Sequence, residues 1–557
     1  MRNVLKFTNS IMLMSLFFCR DLHSDRTTEC GVTQCCTGKA ISKNTFLPRA
    51  FSSSSSREII MRKPMYDDPI RDDWNGILTT AVEFSQNFGC NSDKNLGTMP
   101  FWSGSNVMTV GTNDGQSDLD AWQFGMGNVA SVGSIKLNPR VQQAGADLML
   151  HFMQHLNSPG FYFKIKAPIG AMMIDPKMSM PVVVPSSSAT GLWSMYPAPD
   201  NRPATIAAAF AGGEATCKAF DGSFSNNVRL EYGKVSVCKS TVFRFADVSF
   251  SLGANVVKSE KAILGIGFKA SAPTGNVAQA VEMLEPIFGH GGYWGVGGEV
   301  FGYYKLYEND EDFILNLHWQ GEVSHLAPGR TSYRSFDLKQ NGLGSKYLLL
   351  EYYHQNAAGA YVPGGFITQA INITTLPVIS KFSVEGSLAL MIDGQCRNWD
   401  LGLGGEVWGR SCEQLSINTC KAIKNINAVN FNDFVVLGRQ RSGLTTGGAI
   451  RNLSEPLAFI NKSQDQLTSG ISAETATIKD ATLSVNRIPI NIDDALDVAG
   501  AAASRALTGK VFANLGYGWK EHNYQPHVSV FGSAEFTGSN NNALNMWAVG
   551  LQGSLNF

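Results

Sequence analysis

The chain has 557 residues, with 45 Lys and Arg against 46 Asp and Glu and a charged fraction of 16%. A net charge of -1 with no concentrated basic patch excludes an electrostatic nucleic-acid binder. A mean hydropathy of -0.07, with no long apolar run after the N-terminus, excludes a polytopic helical membrane protein, so any crossing of a bilayer has to be made by strands.

The chain opens on Arg2 and Lys6 followed by the short apolar run Ile11 to Phe18, which predicts an export signal over residues 1–25. Leu16-Phe-Phe-Cys19 is close to a lipoprotein box but has Phe18 where a small residue is wanted; ordinary cleavage before Arg26 is the alternative. Ten cysteines suit an oxidising compartment, with Cys217 and Cys238 bracketing one polar stretch and Cys412 and Cys420 another. No CxxC or Cys/His spacing predicts zinc, and no metal or cofactor is expected. Residues 26–73, with the serine run Ser52 to Ser56, read as a polar, poorly structured leader.

From residue 74 to 557 the texture is that of alternating strands. Leu78, Thr80, Val82 and Phe84 oppose Thr79, Ala81, Glu83 and Ser85; a second strand is expected at 118–126. Leu148, Leu150 and Phe152, then Phe161, Phe163 and Ile165, form a hairpin across Asn157-Ser-Pro-Gly160. Residues 176–240 read as a long excursion with a short helix near Thr205 to Phe210. Alternation returns over 248–254 and 262–268, and the spacing of Val277, Val281, Leu284 and Ile287 predicts a helix over 275–288.

The clearest hairpin follows. Trp294, Val296, Val300, Tyr304 and Leu306 share one face, and so do Phe313, Leu315, Leu317, Trp319 and Val323. Both runs exceed the roughly 9–11 residues that a tilted strand needs to cross a bilayer. Further strands are expected at 346–353, at 382–392 with a hairpin signal at Asp393-Gly394, and at 399–407. Residues 411–508 read as a second excursion ending in an Ala-rich helix over 492–507. Strands at 511–519 and 528–536 then precede the last one.

That last strand, Asn545 to Phe557, puts Trp547, Val549, Leu551, Leu555 and Phe557 on one face and small or polar residues on the other. With the export signal and a terminal aromatic in register with an apolar face, the chain resembles bacterial outer-membrane β-barrels: porins and the 14-stranded hydrophobic-substrate channels. Ala272-Pro-Thr-Gly-Asn276 resembles the second group, although no N-terminal hatch motif is recognisable. The resemblance implies an all-β closed antiparallel transmembrane barrel of about 14 strands, between about 12 and 16. It also implies the outer membrane of a Gram-negative-type bacterium, contact with its lipid, and a barrel-assembly machinery that reads Trp547, Val549, Leu551, Leu555 and Phe557. A periplasmic C-terminus would place the turn at 539–542 and the stretch 412–502 outside, and the turn at 522–526 inside.

In such a barrel lipid wets the apolar face and the polar face lines the lumen. The candidate lining residues are Lys164, Lys166, Asp247, Lys269, Glu299, Lys305, His318, Glu322, Lys381, Glu385, Asp400, Glu406, Lys520 and Glu535. Acids and bases among them are nearly balanced, which predicts passage or binding of small solutes without strong ion selectivity. The alternatives are a structural or adhesive barrel with a closed lumen, and a rim hydrolase using His151, His155 or His318 with Glu322. An enzyme is not expected, because His290-Gly-Gly has no GxSxG partner and neither GxGG stretch is GxGxxG.

Overall fold

A computed structural model describes residues 45–66, 74–89, 96–101, 105–111, 119–120, 133–154, 160–183, 206–212, 229–309, 313–339, 343–355, 357, 361–418, 421, 434–436, 496–519, 524–538 and 543–557. Twelve antiparallel strands form one closed ring: β1 Trp74–Asn87, β2 Arg140–Gln154, β3 Gly160–Asp175, β4 Val248–Ser259, β5 Ala262–Ala272 and β6 Trp294–Asn309. The ring continues through β7 Phe313–Ala327, β8 Thr375–Cys396, β9 Trp399–Arg410, β10 Ala506–Gly518, β11 Pro526–Thr537 and β12 Met546–Asn556. Each strand pairs with its chain neighbours, and β12 returns to β1 with Val82 opposite Leu551 and Phe84 opposite Val549. Closure removes the unpaired edges that hydrocarbon would not tolerate.

The ring is smaller than the expected 14 strands. Residues 118–126 and 346–353 do not join it: Leu119–Asp120 belongs to a separate four-stranded sheet, and Leu349–Gln355 pairs with Tyr361–Gln369 and Phe434–Val436 in a three-stranded one. Alternation marks any half-buried strand, so it cannot separate the wall from a sheet built within a loop. The short strands Ser240–Phe245, Ser332–Ser335 and Glu413–Ile417 pair onto β3 and β8 beyond the ring.

The outward face is apolar. Val82 is 53% exposed, Ile266 51%, Val511 56% and Leu551 57%. Aromatic residues gather at both ends of this belt. Trp399, Tyr517 and Trp519 cluster edge to face near one rim, and Phe84 meets Trp547 near the other. Among the described residues no helix is long and apolar enough to cross a membrane.

The two ends of the barrel differ. Residues 155–159, 260–261, 310–312, 397–398 and 519–525 are the short connections at one end, where β1 starts and β12 stops; the long ones lie at the other. At this turn end Phe557 exchanges backbone hydrogen bonds with Gly76 at 2.7 and 2.8 Å.

Three expected local features differ. The chain over 275–288 is not helical, because Ala280 takes a positive φ of 58° and the Asn276 and Glu285 side chains hydrogen-bond the backbone instead; Val277, Leu284 and Ile287 are nevertheless buried. The helix expected over 492–507 shrinks, within its described part, to Val498–Ala501, and β10 begins at Ala506. Asp393-Gly394 is no turn: β8 runs on to Cys396, and the reversal falls at Arg397 with a φ of 55° and Asn398. The helix expected near 205–210 is present as Ile206–Phe210. The export signal, Cys19, His155 and Lys520 lie outside the described residues.

One close approach inside the wall is set by glycine. Gly267 on β5 pairs with Gly253 on β4, and their bare surfaces let Tyr162 of β3 lie across both while its hydroxyl donates to Glu299 Oε1 at 3.1 Å. A side chain at position 267 would meet the Tyr162 hydroxyl. Gly267→Val is therefore expected to destabilise the barrel by about 1–3 kcal/mol, read as a lower temperature for the heat-dependent gel shift. An unchanged transition would show that Tyr162 can move aside freely.

Candidate functional site

The lumen is filled by the chain's own N-terminal segment. Residues 45–66 run down the barrel from the loop end, where Thr45 Oγ1 donates to Ala501 O at 3.1 Å, to the turn end, where Tyr66 stacks on Tyr303 at 4.7 Å. This stretch of the leader is thus ordered. Its helix, α1 Ser55–Arg62, is capped by Ser54 Oγ accepting from Arg57 N, with Glu58 in the first turn and Arg62 in the last. The wall caps it too, since Glu406 Oε1 accepts from Ser55 N at 3.0 Å. All eight residues of α1 are buried.

Ionised side chains hold the plug at successive heights. Near the loop end Arg49 pairs with Glu406 and, at 3.0 Å, with Glu535; Lys510 lies 3.5 Å from both carboxylates. Arg57 meets Asp147 at 2.6 Å and Glu83 at 3.0 Å. Glu58 points the opposite way, accepting from Lys164 at 2.9 Å and from Lys166, with Lys269 at 4.0 Å. Lys164 and Lys269 in turn pair with Glu299 and Glu322. Arg62 Nη1 donates to Gln320 at 2.6 Å and its Nε to His151 Nδ1 at 3.2 Å. Near the turn end Lys63 sits between Asp393 at 3.0 Å and Asp400, whose other oxygen meets His527 at 2.6 Å.

Apolar contacts fill the gaps. Ile59, Ile60 and Met61 pack on Ala81, Met149, Ala389, Met391, Phe512 and Phe531, while Met65 and Tyr66 pack on Ile77, Met153, Phe301 and Tyr303. The helix C-terminus is satisfied by the wall: Thr79 donates to Met61 O at 2.9 Å and Asn556 to Pro64 O at 3.0 Å. A cavity of about 60 Å³ lies between the plug and β1, β2 and β10–β12, and one of about 20 Å³ lies beside His290.

Most of the expected lining residues do face this interior. Lys164, Lys166, Lys269, Glu299, His318, Glu385, Asp400, Glu406 and Glu535 are buried against the plug or its neighbours, Glu322 is half-buried beside Lys269, and Asp247 is buried in the connection before β4. Lys305 sits at the turn-end rim, 2.9 Å from Glu308. Lys381 faces outward, a correction that follows from a bulge: Ser324 pairs with Glu385 and Leu326 with Phe382, so Ser383 and Val384 both point out and the alternation flips. Trp547, Val549, Leu551, Leu555 and Phe557 share the outward face.

Sequence reasoning missed Arg49, Arg57, Glu58, Arg62 and Lys63, and on the wall Glu83, Asp147, Asp393 and Lys510. Ser55-x-x-Glu58 ahead of Ile59-Ile-Met61 has the form of a capping box, which was the available sign of a helix. With these residues in place the charge balance changes. Among the described residues the strands turn inward nine carboxylates (Glu83, Asp147, Glu299, Glu322, Glu385, Asp393, Asp400, Glu406, Glu535) against seven cations (Lys164, Lys166, Lys258, Lys269, Lys305, Arg410, Lys510), with Lys258 opposite Ile263 and Lys305 opposite Asn316 near the turn end. The plug carries Arg49, Arg57, Arg62 and Lys63 against Glu58 alone. The near balance expected from sequence holds for wall and plug together; the wall alone is acidic.

Ser53, His290 and Asp247 form a line with the spacing of an acyl-transfer triad: Ser53 Oγ to His290 Nε2 is 2.8 Å, and His290 Nδ1 to Asp247 Oδ2 is 2.6 Å. Glu385 breaks the analogy, because its Oε1 lies 3.1 Å from Nε2 and 2.8 Å from the Ser53 hydroxyl. Burial alone would lower the imidazole's pKa, but the carboxylates of Glu385 and Asp247 outweigh it and raise it from 6.5 to about 10. His290 is then an imidazolium with no lone pair to take a proton, and the group is a clamp between plug, loop and β8.

Because the folded value lies above the unfolded one, this clamp contributes fully below about pH 6.5 and is lost as pH rises through about 10. The unfolding temperature of the native chain, measured relative to His290→Gln, is expected to fall across that window. A constant difference would remove the clamp from the account.

A closed antiparallel ring with a lipid-facing apolar belt, aromatic rims and a polar interior is a transmembrane β-barrel of the outer-membrane type. No family model and no curated protein matches the chain. Solved structures similar to it include an outer-membrane channel from Pseudomonas putida F1, at 9% identity and a TM-score of 0.33 over 88% of this chain and 97% of that one. A Pseudomonas aeruginosa FadL homologue matches at 9% identity and 0.27 over 93% and 99%, and the Pseudomonas putida toluene transporter TodX at 8% and 0.28 over 93% and 97%. The barrel assignment rests on the strand pairing and the belt described above.

Proposed function

We propose that this chain is a passive channel for small solutes in the outer membrane of a Gram-negative-type bacterium, closed at rest by its own residues 45–66. Outer-membrane lipid and the barrel-assembly machinery are its expected partners. The observation that carries the reading is the chemistry of the plug: its five ionised side chains engage polar or charged groups of the wall. An interior that only had to be filled would be at least as stable with apolar side chains, since buried ion pairs are costly to desolvate. Charged contacts can be exchanged for water when the plug moves, and they leave a hydrated passage behind.

The second reading, a structural or adhesive barrel, is favoured by the sealed lumen. Planar-bilayer recording separates the two. The native chain is expected to be mostly silent and Glu58→Lys to show stepwise conductance; silence of a properly inserted Glu58→Lys barrel whose plug has become open to trypsin would favour the structural reading.

A further inference from the structure

We infer that the lumen is a selective site for organic cations, with the plug's ammonium and guanidinium groups standing where the solute's would bind. The inference rests on the channel reading for its physiological meaning, but the site can be tested without conduction. Three acidic pairs are spaced along the barrel, two built from neighbouring strands and one, Glu406 with Glu535, from the strands flanking β10, whose Lys510 lies 3.5 Å from both; each takes one cation of the plug. Glu406 and Glu535 hold Arg49, Asp147 and Glu83 hold Arg57, and Asp393 and Asp400 hold Lys63. The plug therefore shows the wall binding both an ammonium and guanidinium groups, at hydrogen-bond distance.

The remaining wall charges sharpen the sign. Withdrawing the plug removes four cations and one carboxylate, and leaves two more carboxylates than Lys and Arg turned inward on the described ring strands. Of the three lysines freed from Glu58, Lys164 keeps Glu299 and Lys269 keeps Glu322, while Lys166 loses its plug partners Glu58 and Ser52 O, so two of the three charges of the basic patch stay neutralised by their own neighbours. Low-dielectric walls focus the remaining negative potential along the passage.

A second observation marks the turn-end pair as able to accept more than Lys63 alone. Asp393 Oδ2 makes no hydrogen bond, and the neighbouring His318, 2% exposed, has neither ring nitrogen hydrogen-bonded, with Nε2 4.0 Å from that oxygen. Asp147 Oδ1, beside Arg57, is also without a hydrogen bond. These atoms are acceptor capacity that the plug leaves unused, and a solute carrying several N–H donors would use it.

Four-carbon probes of opposite charge test the site. Two proteins lacking plug cations are needed in case one fails to fold: a chain without residues 45–66, and the full chain carrying R49Q, R57Q, R62Q and K63Q. Titration calorimetry in detergent with putrescine and with succinate should give diamine binding at least about tenfold tighter than dianion binding. Adding D393N and D400N should weaken the diamine by about tenfold or more. The reversal potential of the unplugged barrel in a KCl gradient should lie on the potassium side.

Equal binding of the two probes, tighter binding of succinate, or a chloride-side reversal potential overturns the inference and leaves the channel reading standing. An unplugged barrel that binds putrescine selectively but never conducts upholds the site and removes the channel.

Discussion

Glu58→Lys is expected to convert a silent barrel into a conducting one and to expose the plug to protease. In the native chain Glu58 is the only carboxylate of the plug, and it sits among Lys164, Lys166 and Lys269, with Arg62 of its own helix at 3.7 Å. Breaking one buried ion pair by removing a partner costs about 3–5 kcal/mol, because the other charge stays desolvated. The reversal does more, since it adds a fifth cation to that group and leaves no anion nearer than Glu299 and Glu322, which are already paired. The helix is therefore expected to leave the lumen while the ring, paired through its backbone, stays closed.

Trypsin is expected to cut after Arg57 and Arg62 in the variant and not in the native chain, where both residues are buried. Combining the change with Lys166→Glu should restore both silence and resistance. An inserted variant that remained silent and uncut would show that the plug is held by Phe51, Ile59, Ile60 and Met61 rather than by charge.

Replacing Leu551 and Leu555 together by Asp is expected to abolish insertion. Both side chains lie on the outward face of β12, at 57% and 45% exposure, in a strand that closes the ring against β1. A charged substitution on the lipid face costs up to about 2–4 kcal/mol near the bilayer midplane for Arg or Lys and less for Asp, and two of them on the seam strand add up where the ring has to be completed. Ala548, Gln552 and Ser554 on the other face are buried, so Ser554→Asp serves as a control for charge without lipid contact. The measure is the fraction of chain in the membrane showing a heat-dependent gel shift. Normal insertion of the double variant would mean that β12 does not face lipid.

The wall was legible because one physical rule governs it: lipid outside and polar groups inside force a period of two, and all twelve ring strands run for at least eleven residues. Where the rule was interrupted, the reading failed. At Lys381 a bulge moved a lysine from the expected lumen to the outside. At Asp393 a dipeptide with turn chemistry concealed a carboxylate that the plug needs, because pairing with β7 and β9 continued through it. The plug itself was hardest to read. Arg49, Arg57, Arg62 and Lys63 next to a serine run look like solvated leader, and only the acidic wall, assembled from strands far apart in sequence, makes them an interior.

The plug also gives the barrel a mechanical polarity. Its contacts with the wall are strung out along the axis, from Arg49 through Arg57 and Glu58 to Lys63, and residue 45 lies at the opposite end from Tyr66. A pull applied at residue 45 would load the outermost pair first and then each of the others in turn, as a zipper opens, so the force at any moment is that of one rung. Pushing from the turn end would instead compress α1 against all of its partners together. The same set of ion pairs would thus yield to tension from the loop side and resist thrust from the turn side, which makes the closed barrel a one-way latch.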